Sequence, residues 1–451
     1  MREQTKMMNV ETPRAKTDWL FVLYAGGSAL LAYSLVYALR KPFTAAAFEG
    51  YTFMGMDYKL AVSIVQLLGY VLAKFLGIKF ISELKPSGRL RFIIGSAVLS
   101  EVSLLFFGLL PAPFNIVTLF FNGLSLGCMW GVLFSFLEGR KVTDLLASMM
   151  GVSMAVSSGV AKSMGLFAMQ TLHVSEFWMP ALIGALALPL LSLMAWLLNR
   201  MPKPTAEDIA SRTERTTLNG KQRMQLFRRF MPFLILIFGA NLLLTVMRDV
   251  KEDFIVCIID VNTISSWAFA QMDMLATFCM LALFGVLTFI KKHLHVLCLL
   301  LFLSALGMLT LAYIGVNYHS LQMSTLTWLF LQTFCIDIAY LSFQTIFFER
   351  FIACFRIHGN VGFFIITIDF IGYVGTLFLL LYKQFGSPHI DWLTFYNILN
   401  EYIGFFCIAA FTYGIIYLII HHKKQKSGTM PTTPTSSVAS KKYESLKTST
   451  I

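Results

Sequence analysis

The chain has 451 residues, of which 57% are hydrophobic and 13% charged, and its mean hydropathy is +0.70. A soluble domain carries about 25% charged residues, so a chain of this composition could not cover a water-exposed surface, and its length is read as a number of bilayer crossings of about 20 apolar residues each. The net charge of +12 does not indicate a nucleic-acid partner, because Lys and Arg lie between apolar runs and in the tails, and the seven cysteines form no CxxC pair or Cys/His cluster, which argues against a metal centre or a disulfide framework.

In chain order, residues 1–17 are polar and the first apolar run is long, the pattern of a retained first helix rather than a cleaved leader. Apolar spans are predicted near 18–48, 57–83, 90–111, 113–136, 144–172 and 176–199. A polar, basic stretch covers 200–229, and further spans are predicted near 230–250, 262–290, 293–317, 322–348, 359–384 and 391–421. The domain plan is a cytoplasmic segment (1–17), a six-helix bundle (18–199), a cytoplasmic linker (200–229), a second six-helix bundle (230–421) and a tail (422–451) rich in Ser, Thr and Lys, expected to be disordered.

The distribution of cations orients these spans by the positive-inside rule. With the N-terminus inside, Lys85, Arg89, Arg91, Arg140, Lys141, the linker cations, Lys291, Lys292, Arg350, Arg356 and the Lys-rich tail all fall on the inner side. The opposite loops are almost free of cations, Lys251 and Lys383 being the exceptions. The expectation is an all-α, multi-pass protein of the cytoplasmic (inner) membrane, with about twelve transmembrane helices and both termini cytoplasmic. The division into six, linker and six resembles the pseudo-symmetric major facilitator fold, whose halves rock about a central site.

Ionisable groups inside spans are costly unless they line a wet cavity or find partners, so they are the functional candidates. They are Arg40 and Lys41 in the first span, Lys74 in the second, Glu101 in the third, Lys162 in the fifth, Arg248 and Asp249 closing the apolar run of the seventh, Asp273 in the eighth, Asp337 in the tenth and Asp369 in the eleventh. Cations dominate the first half and acids the second. Arg40 and Arg248 end similar strings, Leu-Val-Tyr-Ala-Leu-Arg and Leu-Leu-Thr-Val-Met-Arg. Two guanidiniums facing each other across a central cavity would hold a planar or tetrahedral anion by forked hydrogen bonds, with Lys74 and Lys162 adding point charge. Set against this are snorkelling of Arg40 to the interface, pairing of Arg248 with Asp249, and neutralisation of Lys162 by Glu101. Asp337 and Asp369 are either proton-coupling carboxylates or wall partners for the cations.

Tyr-Ala-Leu-Arg-Lys-Pro-Phe (37–43) resembles the first-helix motif of the organophosphate:phosphate antiporters, the glycerol-phosphate and hexose-phosphate transporters. Gly-Tyr-Val-Leu-Ala-Lys-Phe (69–75) is similar to their second-helix run, and Leu-Thr-Val-Met-Arg (244–248) lies where they carry a seventh-helix arginine. The resemblance implies that Arg40, Lys74 and Arg248 line the site, with Tyr37 and Tyr70 as neighbours. The chain departs from that family in lacking a fifth-helix histidine, and Glu83 stands where an inside-gate Asp is usual, with Arg140 a further gating candidate. Nearly the whole length also resembles a bacterial membrane family of unassigned function, typical of Bacteroidota, through Leu-Arg-Lys-Pro-Phe-Thr-Ala, Glu-Gly-Arg-Lys (138–141) and Ser-Ser-Gly-Val-Ala-Lys-Ser (157–163).

The expected function is secondary transport of a small anion, phosphate or an organophosphate, by alternating access, as antiport or proton symport. The alternative is a non-transporting receptor or assembly component that kept the fold. No nucleophile elbow or Gly-rich phosphate loop points to an enzyme, no cofactor is expected, and the partners are the solute and the bilayer, with a monomer as the expected state.

Overall fold

A computed structural model describes residues 19–137, 140, 142–202, 227–355, 361–387 and 389–427. It contains twelve helical spans long and apolar enough to cross a membrane. The first half comprises α1 (Trp19–Arg40), α2 (Tyr58–Glu83), α3 (Pro86–Leu109), α4 (Ile116–Leu126), α5 (Met129–Leu137), α6 (Thr143–Gln170) and α7 (Met179–Asn199). The second comprises α8 (Met231–Ile258), α9 (Ala268–Thr288), α10 (His293–Asn317), α11 (Thr325–Gln344), α12 (Phe347–Phe355), α13 (Val361–Phe385) and α14 (Trp392–Lys426). α4 and α5 together make the fourth span. Residues 428–451 of the predicted tail and most of the predicted linker lie outside the described residues, as do residues 1–17, while 422–426 continue α14.

Successive spans alternate between two faces. α1 and α8 begin, and α7 ends, on what is here called the linker face; the other is the far face. Arg140 donates to Pro202 O on the linker face, while Phe167 and Trp267 meet at 5.8 Å on the far face.

The first span departs from expectation. The sequence suggested a helix reaching toward Phe48, but α1 stops at Arg40, and a 3₁₀ turn follows at Pro42–Ala45. Lys41 N–H still bonds Tyr37 O at 2.8 Å, but Pro42 supplies no N–H to carry the helical ladder further. The chain nevertheless stays inside the protein, since Lys41, Phe43 and Phe48 are buried. It then forms a hairpin, Thr52–Phe53 paired with Met56–Asp57. The turn residues Met54 and Gly55 both have positive φ, 50° and 76°, as a tight two-residue hairpin turn requires.

The seventh span departs in the other direction. The apolar run closes at Arg248–Asp249, yet α8 continues for ten residues beyond Arg248, and Arg248, Asp249, Lys251 and Glu252 are all buried within it. Lys251 is therefore a core residue rather than an outer-loop exception.

Each half has its own apolar core. One contains Leu39, Phe107, Leu126, Leu133 and Leu191, and the other Phe233, Leu300, Phe347 and Phe411. Small residues permit the tightest helix crossings, as is usual between membrane helices. A Cβ on Gly69 would sit 2.1 Å from Phe120 O, and one on Gly123 would sit 2.1 Å from Gln66 O, so α2 and α4 touch backbone to backbone. Gly372 and Gly375 play the same part for α13, facing Thr245 and Leu242 of α8.

The halves meet chiefly through α2 with α13 and α6 with α9, together with α8 against the segment after α1. Leu60, Ile64 and Leu67 of α2 cluster with Tyr373 and Leu380 of α13 and with Phe254 of α8. Ala270 N–H of α9 donates to Ser163 Oγ of α6 at 3.0 Å, and Gly159 of α6 lies against Asp273 of α9. On each helix these positions lie in the half toward the far face or near its middle. These contacts hold the halves together at the far face, while Lys74–Asp369 and the packing of Ala155 with Met280, Ile338 and Leu341 join them nearer the linker face.

Candidate substrate site between the two halves

The site is built on the broken end of α1. Gln66 Nε2 donates to Arg40 O at 2.9 Å, and Asn122 Nδ2 donates to Leu39 O at 3.0 Å. Gln66 also donates to Asn122 Oδ1 at 2.8 Å. These fully internal amides satisfy carbonyls that a helix end leaves orphaned, and so fix the backbone from which the Arg40 side chain departs.

Arg40 is 7% exposed. Its guanidinium lies 3.8 Å from the Tyr70 ring centroid and 5.9 Å from that of Tyr373. Tyr33 and Tyr37 complete its electrostatic surroundings. Among the described residues it forms no ion pair, and its Nε has no hydrogen-bond partner. The aromatic faces hold the cation without neutralising it.

Lys74 stands one helical turn from Tyr70. It pairs with Asp369 of α13, the two side chains being 19% and 18% exposed. Its Nζ also lies 4.4 Å from the Tyr373 ring centroid and 5.1 Å from that of Tyr70. Arg40, Lys74, Tyr70 and Tyr373 therefore form one contiguous group across α1, α2 and α13.

Arg248 is engaged differently. It lies 3.9 Å from Asp337, donates to Met154 O at 3.0 Å and sits 4.7 Å from the Tyr340 ring centroid. It does not pair with Asp249, because adjacent residues on a helix point apart; Asp249 instead accepts from Thr376 at 2.8 Å. Tyr37 is within Coulombic range of both Arg40 and Arg248.

Lys162 does not join the group. It pairs at 2.7 Å with Glu252 of α8, and the two side chains are 2% and 6% exposed. Glu252 also accepts from Ser158 and pairs with Lys251 at 3.0 Å. Lys251 donates to Thr333 at 2.8 Å, and Thr333 donates to Asp273 at 3.2 Å. Lys41 pairs with Asp253. The expectation that Glu101 neutralises Lys162 is thus corrected. Glu101 is buried against Gly184 of α7, and neither carboxylate oxygen has a partner among the described residues. Arg140 lies at the linker face over the Phe21 ring, remote from the central group. The side chain of Glu83 lies outside the described residues.

Among the described residues three ion pairs join the halves: Lys41–Asp253, Lys74–Asp369 and Lys162–Glu252. In each, the cation comes from the first half and the carboxylate from the second. Sequence reading captured this sorting of charge, but missed Glu252, Asp253, Tyr340 and Tyr373. The first two were hidden by their position after an apparent helix end. The apolar run 254–259 that follows was the signal that the span goes on. A cavity of about 580 Å³ opens elsewhere, between α9, α10 and α11, lined by apolar groups such as Leu283, Leu306 and Phe334.

This architecture defines a multi-pass membrane protein of the major facilitator fold, with its buried charge concentrated between the two halves. The chain belongs to a family of unknown function, DUF5690, whose model matches residues 42–422. Solved transporters share the fold. A D-xylose–proton symporter aligns at TM-score 0.55 and 11% identity, over 88% of this chain and 96% of that one. A point mutant of the peptide transporter POT aligns at 0.58 and 12%, over 90% and 94%. A point mutant of the nucleoside transporter NupG aligns at 0.58 and 9%, over 88% and 99%. No curated protein matches the sequence.

Proposed function

We propose that the protein is a secondary active transporter of a small anionic solute, phosphate or an organophosphate, working by alternating access across the cytoplasmic membrane. The observation that carries this reading is Arg40, a buried guanidinium between the halves, held by tyrosine rings and left without a carboxylate partner among the described residues. Burying an unpaired cation is costly, and an anionic ligand removes that cost. Lys74, one turn from Tyr70, supplies a second charge on the same wall. Arg248 and Tyr37 form the adjoining wall, and Asp337 restrains Arg248 while the site is empty.

The cation distribution puts the linker face in the cytoplasm, so the described state is closed to the outside. Opening to the outside must break Lys41–Asp253 and Lys162–Glu252. A ligand shifts that equilibrium only through unequal affinity for the two states, and a ligand seated between Arg40 and α13 has that property. The decisive experiment loads liposomes containing the purified protein with phosphate and measures uptake of a panel of labelled phosphate esters. Exchange that Arg40→Ala abolishes supports the reading. Folded protein that exchanges no ester would instead favour a receptor that kept the transporter fold.

A further inference from the structure

We propose that Asp369 is the proton carrier of this site: an anion that binds Arg40 and Lys74 takes Lys74 away from Asp369, and Asp369 takes up a proton in exchange, so that anion and proton cross together. This rests on the anion-binding reading of the site given above.

Three observations single out this carboxylate. First, Lys74–Asp369 is, among the described residues, the inter-half ion pair that stands nearest the linker face. Lys74 stands about 14 Å, and Asp369 about 12 Å, along their helices from the linker-face ends of α2 and α13, at 1.5 Å per residue. Its side chains are 19% and 18% exposed, against 6% and 16% for Lys41–Asp253 and 2% and 6% for Lys162–Glu252. Secondly, Lys74 and Arg40 share the Tyr70 and Tyr373 rings, so an anion bridging the two cations arrives beside Asp369. Thirdly, among the described residues Asp369 forms no ion pair besides that with Lys74. Its electrostatic neighbours are Lys74 and Tyr70 on α2, Tyr373 one turn along α13 and Tyr340 on α11. Arg40 on α1 shares the Tyr70 and Tyr373 rings and is itself engaged by the anion. On α8, Asp249 is a further electrostatic neighbour of Tyr340 and adds only negative charge.

A carboxylate in a desolvated site that loses its counter-ion and gains an anionic neighbour is pushed toward its protonated form by both changes. The linkage is reciprocal, so protonation of Asp369 frees Lys74 and strengthens anion binding by the same factor. By contrast, Glu252 keeps Lys162, Lys251 and Ser158 together whether the anion is present or not, and so has no reason to titrate with it.

The test is calorimetric titration of the purified protein with sulfate, which stays a dianion across the neutral range, in two buffers of different ionisation heat; inorganic phosphate, corrected for its own protonation, is the second probe. The expected result is uptake of one proton per anion bound by the native protein, none by Asp369→Asn with anion binding retained, and uptake preserved in Asp369→Glu. Binding by the native protein without proton uptake, or undiminished uptake in Asp369→Asn, overturns the proposal and leaves the anion site standing. Failure of both anions to bind overturns the site itself, and with it the transport reading.

Discussion

The guanidinium of Arg40 lies 3.8 Å above the ring of Tyr70, while the lysine one turn further along the same helix is paired with Asp369. Two neighbouring cations of one wall are thus held by opposite means, one by a π-face and one by a carboxylate from the other half. A π-face stabilises a cation without saturating its hydrogen-bond donors. This difference makes Arg40 the group from which an anion gains most.

The first prediction concerns that contact. Tyr70→Leu removes a cation–π interaction worth about 0.5–2 kcal/mol and should alter phosphate affinity by roughly 2- to 30-fold, whereas Tyr70→Phe should stay near the native value. Arg40→Ala should abolish phosphate-induced thermal stabilisation altogether. Thermal-shift titrations with phosphate check all three; equal stabilisation of native protein and Arg40→Ala would remove Arg40 from the site.

The second concerns the far-face latch. Glu252→Gln leaves Lys162 buried without its charge partner, a loss of about 3–5 kcal/mol from the closed state. The far face should open, and labelling of Cys257, a free thiol near the far-face end of α8, should accelerate. Mass-spectrometric maleimide labelling reads this directly. Combining Lys162→Met with Glu252→Gln should restore part of the protection, because one of the two buried cations that Glu252 pairs with is then removed, while Lys251 keeps its bond to Thr333.

Gly159 offers a steric route to the same outcome. A Cβ there would lie 2.3 Å from Asp273 Oδ2 and 2.8 Å from Phe269 O, so Gly159→Val drives α6 and α9 apart, at a cost of about 1–3 kcal/mol. On the same helix, a Cβ on Gly151 would meet nothing within 4 Å, and Gly151→Val serves as the control. Equal melting temperatures and equal Cys257 labelling in the two variants would contradict this account of the α6–α9 crossing.

A pH dependence follows from Glu176, in the far-face loop before α7. Its carboxylate accepts from Phe48 N–H at 3.0 Å, and burial holds its pKa above the usual carboxylate range despite that bond. A carboxyl group whose pKa is higher folded than unfolded binds more protons in the folded state. Its contribution to stability therefore falls as pH rises from the ordinary carboxylate range through the raised value. Glu176→Gln keeps an acceptor for Phe48 and should flatten that decline in melting temperature measured against pH. An unchanged slope would assign the pH dependence to other groups.

Much of the fold was legible because bilayer hydrophobicity is a local property. All twelve spans could be read from apolar runs such as 293–317, which α10 reproduces, with only the ends of the first and seventh clearly displaced. Sites where charge meets charge were less legible. Arg40 and Lys74 stood out as ionisable groups among apolar neighbours, but Glu252 and Asp253 followed three other charges, Arg248, Asp249 and Lys251, and read as a loop. A helix carrying Arg-Asp-Val-Lys-Glu-Asp through a protein interior is stable only if a second helix brings opposite charge to it, and nothing within α8 announces that helix.

By itself, the sequence determined the twelve-span layout, the basic linker and the segregation of cations to the first half and acids to the second. Each of these is set by composition within a span or by which residues fall between spans. Only the tertiary structure decided which cation meets which carboxylate. It assigned Lys162 to Glu252, Lys41 to Asp253 and Lys74 to Asp369, and left Arg40 on its tyrosine rings. The physical reason is that an ion pair between residues far apart in the chain depends on the height and facing of two helices in different halves. Those are fixed by close crossings such as Gly69 on α4 and Gly159 on α9.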